Sequence, residues 1–217
     1  MTPRKTPARS EEDKQKEFQR IIETGRELFV SKGSYGFSTR ALAKKLNMSQ
    51  GNLYNYVKSK RELWIAIRNQ DFKKLKNEME QIIEEHKGDI FKLLEEIANY
   101  YLDLAKNDYR RFQMMFLIPA PPSKKVGPIE KNYKLIDPLD LIKKALKSAM
   151  EKNEIKKMDE NFLSYFVYSL VQGAIFVERD FRASKIIYEP IDKNPTKEKV
   201  KSFRKFMIQQ IKKLIEK

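Results

Sequence analysis

Gln50, Asn52 and Asn55 place three carboxamides within six residues, interleaved with Tyr54 and Tyr56 and bordered by Arg40, Lys44, Lys45, Lys58 and Lys60. A carboxamide offers a donor and an acceptor side by side and matches the edge of adenine. A guanidinium matches guanine, and ammonium and phenol groups reach phosphate. The chemistry these types support is recognition of nucleic acid. Bond-making chemistry has little to work with. The chain has one histidine, His86, and no cysteine. That leaves no disulfide framework, no thiolate zinc site and no Cys–His nucleophile pair. No Gly-rich phosphate loop is present either, so neither enzymatic activity nor a cofactor or metal site is expected.

Two short helices and a tight turn must position those side chains. Ser38 is a good N-cap, its hydroxyl accepting from a free backbone N–H of the first turn. Ala41, Leu42 and Leu46 follow as an apolar stripe at helical spacing. Asn47 tolerates the left-handed conformation that ends such a helix. Ser49 caps the next helix, in which Leu53 and Val57 face inward at i, i+4 and leave Gln50, Gly51, Asn52, Tyr54, Asn55 and Tyr56 to point elsewhere. Ser59, Lys60, Arg61 and Glu62 read as a capping box that opens a third, long helix.

This segment resembles the DNA-binding domain of the TetR (tetracycline repressor) family. The family pattern Ser-x-Gly-x-Leu-Tyr-x-His/Tyr-Phe, then Ser-Lys-x-x-Leu, corresponds to Ser49 through Val57 and Ser59 through Leu63, with Val57 in place of the more usual Phe. Ser38 and the pair Leu42-Ala43 match the helix before it. Ile22, Leu28, Phe29 and Gly33 sit where the family's first helix and its terminal glycine lie. The resemblance covers about residues 15–65. It implies an all-α architecture of nine helices: a disordered basic arm (1–10), a helix-turn-helix domain (11–62) and a helical ligand-binding and dimerisation domain (63–217). It implies that Gln50, Gly51, Asn52, Asn55 and Arg40 face bases, and that Thr39, Tyr54, Tyr56 and Lys60 contact phosphate beside the Ser38 cap. Lys60 also stands at a helix N-terminus, which favours anions.

Composition agrees with a polyanionic partner. The net charge is +15 over 217 residues, and the pI is about 9.7. Residues 1–62 carry 14 Lys/Arg against 7 Asp/Glu, a denser positive charge than in the remainder. No apolar run approaches a membrane span and the N-terminus lacks the apolar core of a signal peptide, so a cytoplasmic protein that does not enter membranes is expected.

Beyond residue 63 periodicity gives helices only. The long third one runs to about His86, with Gly88 as its stop. Others cover 89–107, 109–117, 138–152, 159 to about 183, and 194 to about 216. Residues 118–128, rich in proline, form a loop. Bodies of the family commonly enclose an apolar cavity for a small effector. Tyr101, Phe112, Met115, Phe116, Tyr133, Tyr165, Tyr168, Gln172 and Phe176 are the aromatic, soft or polar residues available to line one, with Arg110, Arg111 and Arg179 to meet an acidic headgroup. Phe162, Phe166, Ser169, Leu170, Gly173 and Val177, with Val200, Phe203, Met207, Gln210 and Leu214, form two stripes on the last helices, where the family dimerises. The expectation is a homodimeric, ligand-responsive regulator of transcription. It binds a pseudo-palindromic operator as a repressor and is released by a small apolar or amphipathic effector. The alternative is a DNA-binding architectural protein without a switch.

Overall fold

The computed structural model describes residues 10–182 and 197–217, and the basic arm and the start of the last helix at Asn194–Thr196 lie outside them. Ten helices form the described chain, in the order α1 (Glu11–Gly36), α2 (Thr39–Lys45), α3 (Gln50–Tyr56), α4 (Lys60–Glu85), α5 (Ile90–Asn107), α6 (Tyr109–Phe112), α7 (Pro128–Lys131), α8 (Asp140–Glu151), α9 (Glu160–Arg182) and α10 (Lys197–Ile215). Helix α6 runs straight into a π-turn, Gln113–Leu117. The helix not foreseen in the sequence is α7, a single turn opened by Pro128, the last residue of the expected loop, at a position where a proline costs no hydrogen bond. Among the described residues there is no strand, only an isolated bridge in which Lys156 N donates to Ile215 O (2.9 Å).

Two compact units make up the chain. The first comprises residues up to Lys73 together with Arg110–Ile136, and the second comprises Lys74–Tyr109 and Asp137–Lys217. The first unit folds around Ile21, Ile22, Phe29, Leu42, Leu53, Val57, Leu63 and Ile67, all nearly inaccessible to solvent. Phe29 and Phe37 stack in that core with centroids 3.9 Å apart. Gly25 is buried where α1 meets α4, and a Cβ there would come within 3.1 Å of Leu63 Cδ2. Helix α1 carries a capping box between Ser10 and Asp13, and its regular course breaks at Gly33, whose φ of 67° suits glycine.

The second unit packs α5, α8, α9 and α10 together. Ile90, Leu93, Leu94, Ile97, Tyr101, Leu104 and Ala105 of α5 are all buried, as their spacing predicts, and Asp89 caps the helix by accepting from Lys92 N (2.9 Å). Glu178, fully buried, pairs with Arg204 through two hydrogen bonds of 2.6 and 2.8 Å, and Arg204 also donates to Asp103 (2.8 Å). Charges so buried persist because each is paired.

Candidate nucleic-acid interface

Serine caps place both helices of the motif. Ser38 Oγ accepts from Ala41 N and Ser49 Oγ from Asn52 N (3.3 and 3.1 Å). Each such cap contributes about 1 kcal/mol to the helix it starts. Asn47 between them has φ 55°, the left-handed turn its type predicts. Leu42, Ala43 and Leu46 anchor α2, while Ala41 is exposed. The stripe therefore runs through Ala43 where Ala41 was expected, because residues 42, 43 and 46 share the inward face at 3.6 residues per turn. Leu53 and Val57 anchor α3 at zero exposure.

Everything else on α3 is left towards solvent. Gln50, Gly51, Tyr54 and Asn55 are exposed, and Asn52 and Tyr56 are half-buried. Ser38 and Arg40 of the preceding turn are exposed and Thr39 is half-buried. Thr39 Oγ1 and Tyr54 OH lie 3.4 Å apart, which brings the two hydroxyls to one place on the surface. Tyr56 stacks on Phe18 of α1 at 6.3 Å, so its ring packs as well as reaching outward. Three of the lysines are already engaged: Lys58 Nζ donates to Tyr54 O (2.6 Å), Lys45 pairs with Glu27 (2.6 Å), and Lys60 bonds a backbone carbonyl. The Lys45 ammonium holds the Glu27 carboxyl below the usual carboxylate range. Lys60 Nζ donates to Ser34 O at the end of α1 (3.1 Å).

The nine residues suggested for a ligand cavity fall into both units. In the first, Phe112 and Met115 are buried, Phe112 and Phe116 pack with centroids 5.1 Å apart, and Phe116 meets Phe72 edge-on at 5.6 Å. Tyr133 packs against the core around α1 and α4. In the second, Tyr101 is buried, and that burial, with Tyr168, Tyr100 and Asp137 close by, pushes its phenol pKa well up. Gln172 is half-buried, and its Nε2 is shut from solvent without a hydrogen-bond partner. Tyr165 and Phe176 lie on the exposed side of α9. Of the headgroup arginines, Arg110 is exposed, Arg111 is buried and donates to Asp71 O (3.4 Å), and Arg179 pairs with Asp180 (3.2 Å). A groove of about 990 Å³ also runs between α5 and α10, lined by Phe91, Val200 and Ile208 among Lys106, Lys201 and Arg204. None of the nine lies in it.

The stripes on α9 and α10 divide. Phe166, Gly173, Gln210 and Leu214 are exposed, and Leu170, Val177, Val200 and Phe203 are half-buried. Met207, at 6% exposure, belongs to the unit's own core with Ile211 and Ile215. Phe162 of the first stripe is exposed as well (73%), and one large residue joins from outside the stripes, Phe206 (58%). Phe206 stands three residues after Phe203 and four before Gln210, a spacing that could have found it.

Residues 21–67 match the sequence model of the bacterial regulatory proteins of the tetR family. No curated protein matches significantly. Among solved structures, the chain is similar to one assigned to the tetR family of transcription regulators from Shewanella sp. PV-4, with a TM-score of 0.67 and 16% identity over 93% of this chain and 98% of that one. It is also similar to the transcriptional regulator FadR from Bacillus subtilis in complex with stearoyl-CoA, with a TM-score of 0.65 and 16% identity over 89% and 97%. A third is AibR in complex with isovaleryl coenzyme A and operator DNA, with a TM-score of 0.61 and 15% identity over 89% and 97%. At these identities the likeness is one of fold.

Proposed function

Because this chain belongs to the tetR family of bacterial regulatory proteins through residues 21–67, and is thereby a helix-turn-helix transcription regulator, we propose that it is a homodimeric repressor released from its operator by a small amphipathic effector. The observation that carries the reading is the division of α3. Two apolar side chains are fully buried, and Gln50, Gly51, Tyr54 and Asn55 are left exposed on the opposite side. A face of that kind reads base edges, with Gln50, Asn52 and Asn55 suited to adenine and Arg40 to guanine. Gly51 adds no side chain to keep the backbone away from the groove.

The exposed phenylalanines of α9 and α10 support a two-fold dimer. Two-fold symmetry gives a pseudo-palindromic operator with half-sites on the order of 34–36 Å apart or somewhat more. The effector class draws on two observations. Two structures of similar fold hold acyl-coenzyme A thioesters, and the second unit combines the buried Tyr101 and a Gln172 Nε2 without a hydrogen-bond partner with a groove in which apolar side chains stand among seven Lys/Arg and four Asp/Glu, an excess of positive charge. Both suit a molecule with a fatty chain and an anionic head.

Fluorescence anisotropy tests the switch. A duplex selected by the protein should be released by a long-chain acyl-CoA at micromolar concentration and not by coenzyme A alone. Binding that no thioester or free fatty acid alters would remove the effector from the reading and leave a regulator without a switch.

A further inference from the structure

Residues 111–130 are far from the helix-turn-helix in sequence, yet they run along the first half of α4 in reverse order, joined by polar contacts between five residue pairs. Arg61 pairs with Glu130 (2.6 Å), Ile129 N donates to Glu62 Oε1 (2.7 Å), and Trp64 Nε1 donates to Ile118 O (3.1 Å). Arg68 donates twice to Met115 O in the π-turn (3.0 and 2.8 Å), and Arg111 donates to Asp71 O (3.4 Å). Met114, fully buried, adds an apolar anchor in the core that holds α3. The segment is thus part of the same compact unit as the recognition helix.

Glu62 is the joint of this arrangement. Its carboxylate is completely buried, a position a charge holds only when its oxygens are hydrogen-bonded. One oxygen accepts from Ile129 N and the other from Lys58 N, the amide directly after Val57, where α3 ends. Its own amide donates to Ser59 Oγ (3.0 Å). A single side chain therefore ties residues 111–130 to the turn that sets the exit of the recognition helix. Gly127 seats against the same carboxylate so closely that a Cβ would run into it. In the sequence Glu62 reads as the acidic half of a capping box. In the fold it caps one residue earlier, at Lys58, and spends its second oxygen on the distant segment.

We propose that Glu62 is a positioning residue for DNA recognition: with Ile129 seated on it, α3 is held in the pose that reads sequence, and unseating residues 111–130 lowers specific binding without touching a base-facing side chain. This rests on the DNA-binding reading above. Specific and non-specific binding respond differently, because phosphate contacts tolerate a small shift of α3 and base contacts do not.

The test uses Gly127→Ala in the full chain. Its affinity is measured by anisotropy for a duplex selected by the wild type and for a random-sequence duplex. Hydrogen exchange at the Ile129 amide reports whether the segment has left. The expected result is faster exchange at Ile129, a loss of about tenfold or more on the selected duplex (the size of one well-placed base contact), and an unchanged affinity for the random duplex. Faster exchange with selected-duplex affinity within about twofold of wild type overturns the proposal. Should the alanine variant lack a cooperative melt, Glu62→Gln, which keeps the side chain's size, decides it: an unchanged ratio of the two affinities overturns the proposal and a reduced ratio supports it. If the wild type itself prefers no sequence, the DNA-binding reading falls and the proposal falls with it, a result distinct from failure of the variants.

Discussion

Two helix faces of this molecule stay in solvent, and they expose opposite chemistry. On α3 the outward residues are Gln50, Gly51, Asn55 and Tyr54, polar or small, with Tyr54 only 38% exposed. On α9 and α10 they include Phe162, Phe166, Phe206 and Leu214, between 42 and 73% exposed. An amide in water has lost nothing, so the α3 face is stable as it stands and gains only when a partner offers matching donors and acceptors. A phenylalanine in water forgoes about 1.5–3 kcal/mol of burial, so the α9–α10 face gains from any complementary apolar surface, and in the proposed dimer a second copy supplies one. In the proposed function the first face selects a partner by pattern and the second by shape and area. Recognition and assembly are therefore separable by mutation.

The largest effect should come from putting charge on the apolar face. Phe166→Asp with Phe206→Asp would bury unpaired carboxylates in the interface and weaken the dimer by about 3 kcal/mol or more, about a hundredfold. Sedimentation equilibrium should then report a monomer at micromolar concentration, and specific DNA binding should fail with it. A double variant still dimeric at that concentration would break the comparison.

Next come the base contacts. Gln50→Ala or Asn55→Ala should cost about 1–3 kcal/mol on the selected duplex and almost nothing on a random one, with the dimer unaffected. Equal losses on both duplexes would mean that the α3 face does not read sequence.

A smaller effect is expected from Ser38→Ala, which removes the acceptor for Ala41 N. It should lower stability by about 1 kcal/mol, seen as a shift of the urea midpoint without a change in slope.

The smallest lies outside both faces. Glu96 accepts from His86 Nδ1 at 2.8 Å, and this hydrogen bond raises the imidazole pKa above its ordinary 6.5. A raised value means that folding favours the charged ring, so the contribution is complete below pH 6.5 and fades as pH climbs through the raised pKa. Replacing His86 with Gln should flatten the stability profile over that interval. A variant with the wild-type profile would assign the dependence elsewhere.

Legibility in the sequence follows the range of the forces. Ser38, Asn47, Ser49, Leu53 and Val57 act within one or two turns, so their types and spacing announce the helix-turn-helix and the direction of its polar face. The α5 face was equally plain, because its buried positions keep a strict helical period. In the sequence, residues 109–117 have the pattern of a short helix and 118–128 that of a loop, with no sign that they belong with the first unit. Their ties to α4 are backbone amides and carbonyls met by Glu62, Trp64 and Arg68, and backbone groups carry no signature in side-chain type. Met207 shows the same limit in another form. It sits on the stripe with Phe203, Gln210 and Leu214, and only the packing of α10 shows it turned into its own core while Phe206 is turned out. Aromatic type carries no address in the fold, and the chain distributes the residues suited to a cavity between two units.

The most direct test of the central claim is selection of genomic fragments by the purified protein at about 150 mM salt, where weak surface electrostatics are screened. The account predicts one enriched, pseudo-palindromic sequence with two half-sites about one helical turn or somewhat more apart, lost on Gln50→Ala. Even recovery of all fragments, with affinity that follows salt and not sequence, would contradict it.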